Sequence, residues 1–354
     1  MANFCQPLKK LAINLLVKYP LERRACFRHA GARQTSESQM NQPTDNLQAF
    51  LDGLIPGYQG VAQSWECDLM GHLNVSFYFG RSSDQAFFTR QALGMSPSQM
   101  RAQNRGTVAL EEHVRFHREV PSGGTLVGRS APIEIGEKTM TIHQEFRDSD
   151  ANLLCTFKTL IGHFHTAARR LVPWSEATLA LAHKYQIAQP DFGAPKFLPS
   201  NGRVGAITRA QTQAAGFARC GGAGVNSWEC DQFGHMNTMF YVRRLTEAAP
   251  HMWHAMGLNL LDGISQGRGS VVGEICVSYI GEVKEGDTLE TYSTIREINE
   301  KTVLVEHRLF NAETGALSAL GRLRVVNFNL TTRRAEPWPD AVRKTIETHM
   351  VAFD

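Results

Sequence analysis

The chain repeats itself at long range. Residues 64–78 read Ser-Trp-Glu-Cys-Asp-Leu-Met-Gly-His-Leu-Asn-Val-Ser-Phe-Tyr, and residues 227–241 read Ser-Trp-Glu-Cys-Asp-Gln-Phe-Gly-His-Met-Asn-Thr-Met-Phe-Tyr. Ten of these fifteen positions are identical at a fixed offset of 163, where unrelated sequence of average usage would give about one. The same offset pairs Glu111 with Glu274, Val114 with Val277, Glu119-Val120 with Glu282-Val283, and Glu137-Lys138-Thr139 with Glu300-Lys301-Thr302. One residue then enters at the polar turn 311–315, opposite 148–152, and Pro173-Trp174 realigns with Pro337-Trp338 at an offset of 164. Solenoid and propeller repeats run about 20 to 50 residues, so a period this long is a whole domain copied once. Two copies of ordinary domain size fill most of the 354 residues.

Charge and cysteine usage narrow the partners. The formal net charge is +3, but residues 1–39 hold Lys9, Lys10, Lys18, Arg23, Arg24, Arg28 and Arg33 against Glu22 and Glu37. The body is therefore slightly acidic and lacks the electrostatic footprint of a duplex-binding protein, which excludes nucleic acid as a partner. Seven cysteines with no C-x-x-C pair fit neither a disulfide framework nor a zinc ribbon, and point to a reducing cytoplasm. Cys67 and Cys230 occupy matching positions and read as small buried residues beside the chemistry rather than nucleophiles.

Residues 1–45 read as a basic, disordered extension, or as residues upstream of a start at Met40; their acid-poor character also fits a transit peptide. The run Leu11 to Val17 is too short to span a bilayer, and no membrane partner is expected. The first domain is assigned to 46–187, a linker rich in Pro and Gly to 188–202, and the second domain to 203–354. Within the first copy, an amphipathic piece from Asn46 to Gly57 leads into a strand at Gly60 to Ala62. Asn74 is suited to cap a helix that carries Phe77, Tyr78, Phe87, Phe88 and Leu93 and stops at Gly94. Asn237 caps its counterpart, which ends at Gly257 and which Pro250 should bend or shorten. Both helices look apolar on much of their circumference, hence buried.

Strands follow at 108–119, 126–135, 139–146 and 153–165, answered by 271–282, 289–298, 302–309 and 317–328. The stretch 139–146 alternates as a strand with one buried face does. A terminal helix follows each Pro-Trp, at 175–187 and 339–349. One long helix with four or more antiparallel strands and no βαβ alternation gives an α+β class, an antiparallel sheet wrapped around a central helix. Two such copies can pair as a pseudo-dimer that hides a sheet edge or buries the helix faces.

The repeated phrase places Asp68 or Asp231 shortly before a Gly-His at the mouth of a helix, where unpaired backbone N–H groups can polarise a carbonyl oxygen. A carboxylate aimed at the same carbonyl could attack it or take a proton from water, which is the chemistry of acyl transfer. The alternative is that each Asp merely caps a turn. Glu111 and Glu274 read as surface or turn residues, with a second catalytic carboxylate as the alternative, and Tyr78 and Tyr241 read as core. His163 and His165 share one strand face, as metal ligands would, but the second copy has Val326 and Phe328 there and no third ligand is apparent. No metal is expected.

Asp-x-x-Gly-His-x-Asn-x-x-x-Tyr before a long helix, followed by Glu-His-Val-Arg-Phe-x-Arg-Glu-Val-x-x-Gly, resembles the hotdog-fold thioesterases of the 4-hydroxybenzoyl-CoA thioesterase type. Here the pattern occurs as two tandem hotdog domains, over 46–187 and 203–350. The resemblance implies an acyl-CoA thioesterase without cofactors. It makes Asp68 and Asp231 nucleophiles or general bases, has His72, Asn74, His235 and Asn237 orient water and the thioester, and gives the oxyanion contact to amides near Gly71 and Gly234. It also implies two sites, each lined by both copies. Val75-Ser76 and Thr238-Met239 depart from relatives that continue with a second Asn. Arg81 and Arg244 recur one turn into each helix, as exposed charges or as contacts to CoA phosphates. The rival readings are an acyl-carrier-protein thioesterase and a non-catalytic acyl-CoA sensor. A double hotdog could stay single or assemble further into a homo-oligomer.

Overall fold

The computed structural model describes residues 53–202 and 204–353. The basic segment 1–45, the domain start at 46 and the amphipathic piece up to residue 52 lie outside the described residues. The first copy runs β1 (Ile55–Val61), α1 (Val75–Ala92), α2 (Pro97–Ala102), β2 (Arg105–Phe116), β3 (Thr125–Ile135), β4 (Thr139–Arg147), β5 (Leu153–His165), the short β6 (Arg170–Leu171) and α3 (Glu176–Tyr185). After α4 (Arg209–Ala214) the order repeats. It continues with β7 (Ala218–Gly224), α5 (Thr238–Ala255), α6 (Leu260–Ser265), β8 (Arg268–Tyr279), β9 (Thr288–Ile298), β10 (Thr302–Asn311), β11 (Leu317–Asn329), β12 (Arg334–Ala335) and α7 (Asp340–His349).

All pairings are antiparallel, and one sheet runs β1-β3-β4-β5-β2-β8-β11-β10-β9-β7. The two copies join where β2 pairs with β8, in a register that sets His113 opposite Cys276. These two residues are equivalent at the offset of 163, so the pseudo-twofold axis passes between them. The seam removes one open edge from each copy. On one face of the sheet α1 and α5 pack together, and a single apolar cluster joins Phe79, Val114 and Phe157 to Leu245, Ile275 and Leu323. The expected α+β pseudo-dimer both hides an edge and buries helix faces.

Asn74 caps α1 by accepting from Ser76 N–H at 3.0 Å, and Asn237 caps α5 by accepting from Met239 N–H at 3.1 Å. Both helices are 18 residues long. The shortening expected at Pro250 does not occur: Leu245, Ala248, Met252 and Trp253 are buried on both sides of it, and tertiary packing outweighs one lost hydrogen bond. The expected apolar girth of α1 is corrected. Phe87 and Phe88 are exposed, whereas Ser76, Ser82, Gln85 and Thr89 face inward. Gln85 accepts from Tyr58 N–H at 2.8 Å and donates to Ser130 Oγ at 3.1 Å, so part of this polar face is satisfied by the strands beneath it.

Three strand expectations also shift. β1 spans Ile55–Val61 rather than Gly60 to Ala62, so the end of the expected amphipathic piece is strand. β2 and β8 begin and end three residues earlier than 108–119 and 271–282, which leaves Glu119 and Glu282 in the turns that follow. β4 is buried on both faces from Met140 to Phe146 rather than on one, because residues of the 188–202 segment cover its outer face. Phe192 meets His143 edge-on with ring centroids 5.9 Å apart. The segment has linker composition but lies as a strap along the seam. Glu274 accepts from Lys196, Phe197 and Leu198 N–H groups at 3.1, 2.9 and 3.1 Å and pairs with His113 Nε2 at 2.7 Å. Glu111 accepts from Ser200 Oγ at 2.6 Å and Asn201 N–H at 3.1 Å. Both matching glutamates therefore hold the strap.

Candidate functional site

Each repeated phrase folds as a 3-10 turn, Ser64–Glu66 or Ser227–Glu229, followed by a tight turn into the helix. The glutamate of the phrase is a fastener. Glu66 pairs with Arg81 at 2.6 Å and Glu229 with Arg244 at 2.8 Å, all four largely buried, so the recurring arginines are not exposed charges and each holds the glutamate of its own phrase. Asp68 Oδ1 accepts from Met70 N–H at 2.8 Å and His72 N–H at 3.4 Å. Asp231 Oδ1 accepts from Phe233 N–H at 2.8 Å and His235 N–H at 3.2 Å. Each aspartate does cap its turn, through one oxygen, which fixes the carboxylate and leaves Oδ2 without a hydrogen bond among the described residues.

Gly71 and Gly234 adopt φ of +79° and +76°, a conformation that a side chain would strain. Their N–H groups donate to Asp68 O and Asp231 O at 3.0 Å. The amides expected to hold an oxyanion are therefore engaged within the turns. The first N–H of each helix, at Val75 and Thr238, has no intrahelical acceptor and no other hydrogen bond among the described residues. At the turn, His72 Nε2 lies 3.5 Å from Glu119 and His235 Nε2 3.4 Å from Glu282. Arg333 of the second copy reaches Glu119, and Arg169 of the first reaches Glu282, so each copy braces the other's histidine. Burial holds His235 below the usual imidazole range, with Arg169 and Lys284 acting in the same direction and Asp231 opposing them.

The symmetry ends inside. A cavity of about 840 Å³ opens at Asp231, lined from the second copy by Asp231, His235, Asn237 and Thr238 and from the first by α1, β2 and β5. Ser83 Oγ of α1 lies 3.4 Å from Asn237 Oδ1 and 3.3 Å from Thr238 Oγ1, which brings the middle of one helix to the mouth of the other. Arg90, also in the wall, sits over Phe87 at 4.5 Å; burial disfavours its charge and Asp231 favours it. The cavity deepens past Leu93, Met100, Ile142 and Ile161. In the second copy the positions equivalent to Ser82, Thr89, Arg90 and Glu112 are Leu245, Met252, Trp253 and Ile275, all buried in the core. Trp253 packs on Trp338 with ring centroids 6.0 Å apart.

Glu112 went unnoticed in the sequence beside its duplicated neighbour Glu111. It is 3% exposed, accepts from Tyr279 Oη at 2.6 Å and lines the cavity. Burial pushes its carboxyl up to about 7 against the hydrogen bonds from Tyr279, Ser82 and Thr238. A signal was present: Glu112 shares strand parity with the core residue Val114, and its repeat partner is Ile275. The remaining candidates are structural. Tyr78 and Tyr241 are buried. His163 binds Pro173 O at 2.8 Å through Nδ1 and stacks on Trp174, and His165 accepts from Ala168 N–H at 3.2 Å. Cys67 and Cys230 are half-buried, each turned to a backbone carbonyl. Among the described residues no cluster of three or more His, Cys, Asp or Glu is disposed to hold a metal. No helix among them is long and apolar enough to cross a membrane.

A family model described as the thioesterase-like superfamily matches residues 61–181 and 225–346, one match for each copy. Among solved structures, a protein described as an oleoyl thioesterase from Lactobacillus plantarum superposes with a TM-score of 0.61 at 14% identity, covering 78% of this chain and 97% of its own. The 12:0-ACP thioesterase from Umbellularia californica gives 0.55 at 15% identity, covering 77% and 93%. An acyl-ACP thioesterase from Bacteroides thetaiotaomicron gives 0.55 at 13%, covering 76% and 96%. At these identities the likeness is one of fold. No curated protein sequence matches the chain.

Proposed function

The chain belongs to the thioesterase-like superfamily and is a thioester hydrolase, and from that premise we propose that it cleaves an acyl-CoA at the Asp231 end of the cavity. The observation that carries this reading is the convergence, in one cavity, of a turn-fixed carboxylate, a helix mouth with a free N–H, and walls from both copies. The acyl group enters the cavity and the pantetheine arm leaves past Arg169 and Lys284. The Thr238 N–H, at the positive end of the α5 dipole, polarises the thioester carbonyl. Asp231 attacks the carbonyl carbon or takes a proton from an attacking water, with His235 and Asn237 orienting that water. The products are the free carboxylic acid and the thiol, and neither a metal nor a redox cofactor takes part. Asp68 carries the same turn but faces a filled core, and its role is to fix the entry of α1.

The deciding experiment follows free-thiol release from short, medium, long-chain and aromatic acyl-CoAs and from the matching acyl carrier protein thioesters, for wild type, Asp68→Asn and Asp231→Asn. Release that disappears only with Asp231→Asn supports the reading. Release from carrier-protein thioesters alone would change the carrier. Tight binding with no release from either would make the protein a sensor.

A further inference from the structure

The cavity wall nearest the reaction centre is polar in a way that a hydrocarbon chain cannot use. Glu112 on β2 lies directly opposite Thr159 on β5, and Thr159 lies opposite Ile142 on β4, with Gln144 two residues further along that strand on the same face. All of them line the cavity. Thr159 is 6% exposed and Gln144 2%, yet among the described residues Thr159 Oγ1 and Gln144 Oε1 have no hydrogen-bond partner. Gln144 Nε2 donates to Ser82 O at 3.3 Å, and Ser82 Oγ donates to Glu112 at 3.4 Å, so the polar groups form one patch. In the second copy the positions equivalent to Glu112, Thr159 and Ile142 are Ile275, Leu323 and Val305, in register and apolar, and the position equivalent to Gln144 is His307, whose Nδ1 is bonded to Ser293 Oγ at 2.7 Å.

A buried acceptor left without a partner costs free energy, and this patch holds two of them beside a buried carboxyl. It also sits close to the scissile bond, because Glu112 and Thr238, the first residue of α5, line the same cavity. Beyond the patch the wall turns apolar at Leu93, Met100 and Ile161. A ligand that satisfies both parts is polar within a few bonds of its carbonyl and apolar further out. We propose that the substrate is a hydroxyacyl thioester, with its hydroxyl on the second or third carbon donating to the row formed by Glu112, Thr159 and Gln144. This rests on the thioesterase reading and narrows its substrate. A site built to bond a hydroxyl discriminates strongly against the analogue that lacks it, since the buried acceptors then stay unpaired.

The test compares matched pairs, 2-hydroxyoctanoyl-CoA and 3-hydroxyoctanoyl-CoA each against octanoyl-CoA, by kcat/KM for thiol release. Wild type should favour one hydroxylated member by about tenfold or more, and Thr159→Val and Gln144→Leu should each bring that ratio towards one. Octanoyl-CoA cleaved as fast as both hydroxylated partners overturns the proposal, as does a ratio untouched by either variant. The same pairs are titrated by calorimetry into Asp231→Asn protein. Tighter binding of a hydroxyacyl-CoA, lost in Thr159→Val, supports the pocket assignment even if no thioester is cleaved, whereas equal binding refutes it. Failure of hydrolysis and failure of hydroxyl selection are thereby read separately.

Discussion

The two copies keep the same surface phrase and differ in what lies behind it. Around Asp231 the inward positions of the first copy are Ser82, Thr89, Arg90 and Glu112, and a cavity remains. Their counterparts Leu245, Met252, Trp253 and Ile275 fill the second copy as a packed core. Duplication thus left one half to supply stability and the other to supply space. The lesson is that an intact motif does not make a site: Asp68 and Asp231 share a turn, a capped helix and a bracing arginine, but only one of them adjoins this cavity.

The sharpest way to break this comparison is to remove each aspartate in turn. Asp231→Asn should lower kcat for thiol release by about 10³-fold or more, in the range that removal of an acid–base group produces, while Asp68→Asn should change it by less than about threefold. Equal losses would make the two ends functionally equivalent. The seam offers a second contrast. Glu274→Ala strands His113 and three strap N–H groups in a dry site and should cost about 3–5 kcal/mol in urea unfolding. Its partner Glu111 is half-buried, so Glu111→Ala should cost well under half as much.

The interior carboxyl gives a third contrast, through pH. Glu112 titrates near 7 when folded against an ordinary value of 4.5, so the folded state holds its proton more tightly. Its stabilisation is fully present below pH 4.5 and is lost as pH rises through 7. Glu112→Gln should therefore gain on wild type by about 2 kcal/mol between pH 5 and pH 8, measured as the pH dependence of the unfolding midpoint. A parallel shift at all pH values would show that Glu112 does not titrate in that window. The smallest effect belongs to the braces. Arg169→Gln, at the cavity mouth, should raise KM about two- to fivefold with little change in kcat, and Arg333→Gln, at the closed end, should leave both unchanged within error.

Much of the architecture was legible because it repeats. The matched phrase showed that one domain is present twice, Asn74 and Asn237 announced the helix starts, and β3 to β5 lie within a residue or two of the expected strands. Legibility failed where burial and long-range partners decide. Identity at the offset drew attention to Glu111 and Glu274, which hold the strap, and away from the unmatched Glu112. Arg81 and Arg244 were visible as a pair, but their partners Glu66 and Glu229 lie fifteen residues back across a turn. The oxyanion role fell on Gly71 and Gly234 because the motif contains them, yet their N–H groups close the turn, and only the helix geometry leaves the Thr238 N–H free.

By itself the sequence determined the copy number, the antiparallel sheet with its long helix, and the carboxylate at the helix mouth, because caps, turns and strand alternation are local and act within a few residues. Tertiary structure alone decided that one end of the pseudo-dimer is hollow and the other solid. A cavity is the volume left by side chains from α1, β2, β4 and β5, brought together across more than seventy residues of chain, and such packing has no local signature in any one of them.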